Sequence, residues 1–395
     1  MNIGYIVQQF YPSAYGSGIH AFELSQELVK LGHEIHIITK GEPTQEPYEH
    51  FKNIHIHRIL RSLALPYYFP FNSGLLWQYG QELIRKCDID IVIGHGFEAS
   101  LYFKIRKHIP FIYKAAGTIG LQAYRRNLTW RDAFGKLYFP FLGQFEKTAA
   151  KQSDCVIAIS DTVKQELITN YNIAPQMISR IYNGVNNRRF HPRQQYSHIK
   201  QQLEIDSQKI ILFVGRLSPI KGPQLLIQAI PRITKTFSDV IFLFIGNGPL
   251  SSYLHRMAYK LNISRFVKFL GFISNAEIPK YFAIADLCVI PSLYEPFGLV
   301  ALESLASGTP ILSSAQGGLA EIHKILGIFP TIMPLTPSTI SKNVVALLTN
   351  YEKLKSLGKE GRKLVCQKFT WRKCAEKTNK ILEKIKWKRK KIKGF

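Results

Sequence analysis

Short apolar runs rich in Ile and Val recur along the chain, and each is followed by a stretch with helical period. Ile3–Val7 predicts a strand. Ile19–Leu31 has apolar residues at helical spacing and ends at Gly32, which predicts a helix with a glycine just past its end. Glu34–Thr39, Ile89–Gly94, Phe111–Lys114 and Cys155–Ser160 repeat the strand pattern, and Asp161 caps a predicted helix to Asn170. These runs are nearly continuous in apolar residues, as strands buried on both faces are. A second series comes after them, with strands at Ile210–Gly215, Val240–Gly246, Val267–Leu270, Leu287–Pro291 and Pro310–Ser314. Helices are predicted between them near 223–234, 249–261, 276–285 and 298–307. Two successive β/α series mean two doubly wound α/β domains, divided in the polar segment Asn183–Pro192 into residues 1–186 and 187–370. Ligands of open α/β sheets bind outside the carboxyl ends of the strands, so two such domains facing each other would enclose a deep cleft.

The length, 395 residues, suits two domains rather than one, and 46% apolar with 20% charged residues is a globular composition. The charge balance adds a constraint. With 52 Lys and Arg against 27 Asp and Glu, the net charge is +25, which implies a polyanionic partner: nucleic acid, an anionic membrane face or a phosphorylated substrate. Five scattered cysteines form no C-x-x-C pair, so a reducing compartment is expected and neither a disulfide framework nor a zinc site. The N-terminus lacks a basic start and a long apolar core, so it does not read as a signal peptide. The uncharged stretch Ser62–Gln81 is interrupted by Pro66, Pro70, Asn72 and Gly74, which argues against a spanning helix. A cytoplasmic protein that touches a membrane is expected.

Four motifs fall at strand ends. Tyr15-Gly16-Ser17-Gly18 opens the first helix; small residues there let amides approach a phosphate, though a plain turn has the same composition. Gly215–Gly222, GRLSPIKG, presents Arg216 and Lys221, two cations able to reach one diphosphate or simply to face solvent. Phe244–Pro249, FIGNGP, makes a tight turn, structural in itself. Ser292–Ser314 is the most informative. Gly298 opens a helix closed at Gly308, so the amides of Gly298 and Leu299 are unpaired donors suited to an anion. Glu295 precedes them and Glu303 lies on the helix; an acid beside an anion site fits best where it bonds neutral hydroxyls of the same ligand, as in a sugar or ribose.

EPFGLVALES, two glutamates in one strand-end motif, resembles the signature of retaining glycosyltransferases of family 4, which have the GT-B fold. YPSAYGSGIHAFELSQEL, SDCVIAIS, RIYNGVNNRRFHP, GRLSPIKG, FIGNGP, GTPILSSAQGGLAEI and KFTWRKCAEK resemble further family segments in the same order. The last resembles the family's C-terminal helix, which implies that residues 371–395 pack back onto the N-terminal domain. The resemblance further implies that Arg216 and Lys221, with the Gly215 turn and the amides of Gly298 and Leu299 beside Phe297, hold a donor diphosphate. Glu295 would contact sugar hydroxyls and stabilise the transition state, Glu303 would hold the ribose, Gly16 would let its loop approach the diphosphate, and Leu270–Ile273 would border the base.

The activity expected on this resemblance is that of a metal-independent, cofactor-free hexosyltransferase using a UDP- or GDP-linked sugar. Its acceptor would be a hydroxyl of a glycolipid, lipid-linked glycan or other polysaccharide precursor, lipopolysaccharide among them. It would be a monomer or weak dimer at the inner face of the cell membrane. A same-fold epimerase or hydrolase is the alternative, and a nucleic-acid-binding protein is disfavoured because no such motif is present. The sequence departs from the family where an acceptor-side histidine often follows the strand at Phe111–Lys114: here Ala115 and Ala116 stand. His20 and His95 are the remaining acceptor-side candidates, each more readily read as an ordinary polar residue. Asp88-Ile89-Asp90 precedes a strand and reads as a solvated strand start, not a metal site. The aromatic segments Leu63–Tyr79 and Tyr124–Phe145 suit either core packing or a membrane interface, and the basic tail Lys384–Phe395 suits an anionic leaflet.

Overall fold

The structure is a computed structural model and describes residues 1–7, 10, 16–41, 44–61, 80–96, 109–118, 133–192, 196–205 and 208–393. The aromatic segment Leu63–Tyr79, Tyr15 and the first part of Tyr124–Phe145 lie outside the described residues. The chain forms two compact units: Met1–Asn183 together with Trp371–Phe395, and Gly184–Thr370.

In the first unit eight strands form one sheet in the order β3-β4-β2-β1-β5-β6-β7-β8. They are β1 (Asn2–Ile6), β2 (Glu34–Gly41), β3 (Tyr48–Phe51), β4 (Ile54–Arg61), β5 (Ile91–His95), β6 (Phe111–Ala115), β7 (Cys155–Ala158) and β8 (Ile178–Arg180). All neighbours are parallel except β3 and β4. The edge pair β3–β4 and the short β8 were not expected from the apolar runs. β3 is exposed along its whole length, and β4 alternates Ile with His, so neither has the continuous apolar signal of a two-face-buried strand. The interior of this unit holds Ile3, Tyr5, Leu24, Leu28, Ile37, Ile93, Ile112 and Ile157, all buried.

The second unit carries a six-stranded parallel sheet, β11-β10-β9-β12-β13-β14. Its strands are β9 (Lys209–Val214), β10 (Val240–Ile245), β11 (Val267–Gly271), β12 (Leu287–Ile290), β13 (Ile311–Ser314) and the two-residue β14 (Thr331–Ile332). Phe213, Phe244 and Phe269, one per strand, form a continuous aromatic row with centroids 5.5 and 5.2 Å apart. The helix Pro223–Thr234 seals one face through buried Leu226, Ile227, Ile230 and Ile233, spaced as one stripe.

Strand order reverses at β1, between β2 and β5, and again at β9, between β10 and β12. In open α/β sheets such switch points leave a crevice at the strand C-termini where ligands bind. The loops following β1, β5, β9 and β12 are therefore the places to look for chemistry. The C-terminal helix Trp371–Lys393 packs on the first helix, Ser17–Lys30. Asn379 Oδ1 lies 2.8 Å from His33 Nε2, and Lys386 donates to Asp90 at 3.1 Å. Asp90 also accepts from the amide of Asn2 at 3.1 Å, so this member of the Asp88-Ile89-Asp90 triplet fastens structure. Among the described residues no helix is long and apolar enough to cross a membrane.

Candidate active site

In the second unit β9 runs into the loop Gly215–Gly222, and β12 runs into the loop before the helix Leu299–Ala306. The two loops are joined by backbone: the amide of Leu293 donates to Ile220 O at 2.9 Å. A Cβ at Gly222 would stand 2.0 Å from Pro291 O, so only glycine lets the loop lie against the end of β12. That approach sets Lys221 beside Glu295, with Nζ 2.7 Å from Oε2. The Glu295 side chain keeps 13% exposure, enough to meet a ligand and too little to be fully hydrated.

The Glu295 loop is braced from behind by Gly317-Gly318. The amide of Gly318 donates to Glu295 O at 2.8 Å. A Cβ on Gly317 would lie 2.1 Å from that oxygen, and one on Gly318 2.4 Å from Phe297 Cα. The glycine pair thus opens the helix Gly318–Leu326, closed by Gly327. Phe297 is 2% exposed and edges onto Phe369 at 6.2 Å, so its ring anchors the loop instead of facing a ligand. The turn Phe244–Pro249 braces the other side, where Leu217 donates to Asn247 O at 3.0 Å and Leu250 to Leu217 O at 2.9 Å.

Gly298 caps the helix Leu299–Ala306 with φ 110°. The first amide of that turn with a backbone partner is Ala301, bonded to Gly298 O at 3.0 Å. Among the described residues no acceptor reaches the amides of Gly298 and Leu299, which leaves two donors at the positive end of a helix. Glu303 is half-buried on the same helix. Arg216 is exposed at the end of β9, and among the described residues no carboxylate pairs with it. A guanidinium, an ammonium, two free amides and a carboxylate are therefore gathered on two strand-end loops. Such a set binds an anion and places an acid next to it.

The first unit places its candidates differently. Gly16 is exposed, with φ 42°, at the start of the helix Ser17–Lys30. His20 and His95 do not face an open surface as expected: each is only 3% exposed. His20 edges onto Trp371 at 4.9 Å and His95 at 5.2 Å, and His95 Nε2 lies 2.8 Å from the Tyr5 hydroxyl. Both histidines are interior residues, His20 against Trp371 of the C-terminal helix and His95 against His20 and Tyr5, and direct contact with an acceptor fits neither. No sequence motif singled out Lys114, which is fully buried at the end of β6 with Nζ 4.0 Å from Cys374 Sγ. A lysine closing an otherwise apolar strand was the available signal.

Burial, and then the nearby Lys114 ammonium, push His95 down to about 3. His20 and Lys114 are lowered chiefly by burial as well. The folded pKa of His95 lies below the unfolded value, so the unfolded chain takes up a proton as pH falls from about 6.5 toward 3 while the folded chain does not. Stability is full above that window and drops within it, by about 2 kcal/mol at pH 5 for His95 alone. Denaturant melts from pH 7.5 to 5 should show this loss, and His95→Gln should flatten the slope by up to one proton. An unchanged slope in His95→Gln would show that His95 does not set it.

Residues 195–364 match the family described as Glycosyl transferases group 1, and residues 14–189 match Glycosyltransferase Family 4. The two matches together span most of the chain, and the chain is a glycosyltransferase. An uncharacterized glycosyltransferase of Methanocaldococcus jannaschii is 29% identical over 394 residues, spanning 96% of this chain and 97% of that one. The N-acetyl-alpha-D-glucosaminyl L-malate synthase of Bacillus anthracis is 28% identical over 364 residues, 91% of each. The structure of Anabaena HepE in complex with UDP-glucose superposes with a TM-score of 0.76 at 17% identity, covering 97% of this chain and all of that one. The fold of this glycosyltransferase is thus of the GT-B class, with two parallel-sheet α/β units. The matched segment 195–364 takes in Arg216, Lys221, Glu295, Gly298 and Glu303.

Proposed function

We propose that the protein transfers a hexosyl or N-acetylhexosaminyl unit, with retention, from a nucleoside-diphosphate sugar to a hydroxyl of a glycolipid or glycan precursor. The observation that carries this is the Lys221–Glu295 pair, 2.7 Å apart, beside the open helix start at Gly298. In the free protein cation and carboxylate neutralise each other. A diphosphate arriving at the helix start competes for the Lys221 ammonium. Glu295 is then released toward the sugar ring, where positive charge develops at the transition state.

Arg216, Lys221 and the amides of Gly298 and Leu299 neutralise the leaving diphosphate, and the acceptor hydroxyl enters on the face the diphosphate leaves. With the diphosphate charge met by side chains and a helix start, transfer needs no metal at this site. The UDP-glucose held by HepE and the N-acetylglucosaminyl unit in the name of the B. anthracis synthase both fit a donor of this kind.

A thermal-shift screen over UDP-, GDP- and ADP-sugars tests the reading. A true donor at a hundred times its Kd adds about 2.7 kcal/mol, with or without EDTA when each is compared with its own ligand-free control. No shift with any of them sinks the proposal. Product analysis with and without acceptor separates transfer from hydrolysis and epimerisation.

Glu303 is proposed to hold the ribose hydroxyls. That contact persists through the reaction, so Glu303→Ala raises the donor KM about tenfold or more and leaves kcat nearly unchanged. A fall in kcat at constant KM would move Glu303 into the chemical step.

The tail from Lys384 to Phe395 carries seven cations and no acid. Trp387 stands 58% exposed on the helix that reaches Lys393. We propose that this end contacts an anionic leaflet, each Lys or Arg near the surface contributing about 1 kcal/mol. Sedimentation with liposomes of rising anionic lipid content should show the full chain binding more tightly than one ending at Glu383. Residual attraction persists, because +18 of the +25 stays on the body. Equal binding by both chains, or insensitivity to salt, discards the contact.

A further inference from the structure

β2 and β4 carry Glu34-Ile35-His36-Ile37 and Ile54-His55-Ile56-His57. Period two sends Ile35, Ile37, Ile54 and Ile56 to one face, where all are buried, and the polar residues to the other. Parallel pairing sets His36 beside His55, and the antiparallel β3 sets His50 opposite His55 and Tyr48 opposite His57. Four imidazoles thus share one face of the β3-β4-β2 edge. The rings of His36 and His55 stack at 4.6 Å, and those of His36 and His57 at 5.5 Å.

Cys87 follows the helical residues 80–86. Its Sγ and a ring nitrogen from each of His36 and His57 all lie within 4.8 Å of one another. His36 Nδ1 and His57 Nε2 are 3.2 Å apart. Two imidazole nitrogens on one tetrahedral zinc, each at about 2.0–2.1 Å, stand about 3.3–3.4 Å apart, so this edge of a site is already set. His36 is 7% exposed, and its other nitrogen, Nε2, is buried without a hydrogen-bond partner. The nearest acid to that nitrogen is Glu34, at 3.6 Å, which also meets His55 Nε2 at 2.9 Å. A carboxylate behind a metal-bound histidine fixes its tautomer and ring orientation.

We propose that His36 Nδ1, His57 Nε2 and Cys87 Sγ bind one zinc(II) ion, with Glu34 closing its 3.6 Å gap to His36 Nε2–H as the ion enters. Imidazole and thiolate donors together suit zinc. Burial, followed by the other imidazoles of the cluster, pushes His57 down to about 4, so it offers a lone pair at neutral pH. Burial raises the Cys87 thiol, so binding must drive its ionisation: the S–H proton passes to the buffer as the zinc–sulfur bond forms. Cysteine spacing alone pointed away from zinc because two donors come from strands and one from the end of a helix. The site lies at the N-terminal ends of β2 and β4, on the edge of this sheet away from the strand ends that carry Gly16 and His95. It stabilises the first unit and takes no part in sugar transfer.

The test uses the full-length, tag-free chain, stripped with chelator, dialysed and titrated with cobalt(II) and then zinc(II). One equivalent of cobalt should give tetrahedral d–d absorption with a thiolate-to-cobalt charge-transfer band, and zinc should displace both and raise the Tm. Cys87→Ser should remove the charge-transfer band, His57→Ala should abolish stoichiometric binding, and Glu34→Gln should weaken it about 10–100-fold. Both Cys87 and His57 are only half-buried, so these variants keep the test readable if His36→Ala fails to fold. Absence of a stoichiometric cobalt spectrum overturns the proposal. So does a spectrum without the charge-transfer band that survives Cys87→Ser and His57→Ala, which would place the ion on Glu34, His36 and His55 instead.

Discussion

Replacing Glu295 with Gln should lower kcat by about 10²–10³-fold without weakening the donor Kd. The substitution keeps the shape that packs against Gly317-Gly318 and removes only the charge. The Glu295 loop is held by backbone, through the Gly318 amide at 2.8 Å, so its position does not depend on the carboxylate. On the proposed mechanism the loss is the negative charge that donor binding turns toward the sugar ring, and removing one such electrostatic contact costs about 2.7–4 kcal/mol of transition-state stabilisation. Steady-state kinetics with a donor found in the thermal-shift screen give the answer. A kcat within twofold of wild type would remove Glu295 from the chemistry. Because Lys221 is bonded to Glu295 at 2.7 Å, the double variant Lys221→Met/Glu295→Gln should be less damaging than the product of the single effects.

Lys221→Ala and Arg216→Ala should each reduce kcat/KM about ten- to hundredfold, the loss of one charge-assisted contact of about 1.5–3 kcal/mol. Their effects on folding should differ. Arg216 is exposed at a strand end, so its removal leaves the Tm unchanged. Lys221 is half-buried against Glu295, and its removal strands a partly buried carboxylate, lowering the Tm by a few degrees. Near-wild-type turnover in both variants would show that the diphosphate binds elsewhere. Equal Tm losses would show that Arg216 has a structural partner.

The longer apolar parallel strands of both units were legible because Ile and Val runs buried on two faces carry a signal that needs no partner to be read. β4 was missed because His55 and His57 break its apolar run, although the same alternation holds one face in the core. β8 and β14, three and two residues long, are too short for any period to show. At the site, Arg216, Lys221, Glu295 and the helix start at Gly298 were visible as local motifs at strand ends. Their meeting was implied only by the family resemblance and not by any local pattern, since the Lys221–Glu295 contact spans 74 positions and depends on Gly222 lying against Pro291. His20 and His95 were misplaced for the same reason. The burial of His20 is completed by Trp371, and no local pattern around residue 20 reports on residue 371.

The first unit is discontinuous: it is built from Met1–Asn183 and closed by Trp371–Phe395, while the second is the unbroken segment Gly184–Thr370. On a ribosome the two therefore do not mature in the order in which they are made. The second unit has all its residues before the first has its last helix, and until then His20 lacks the cover that Trp371 gives it. Domains generally fold as units as they emerge, the N-terminal one first. Here the N-terminal half waits on the final two dozen residues, so a nascent chain stalled at Thr370 carries one finished domain and one unfinished one, with the finished domain being the later-born.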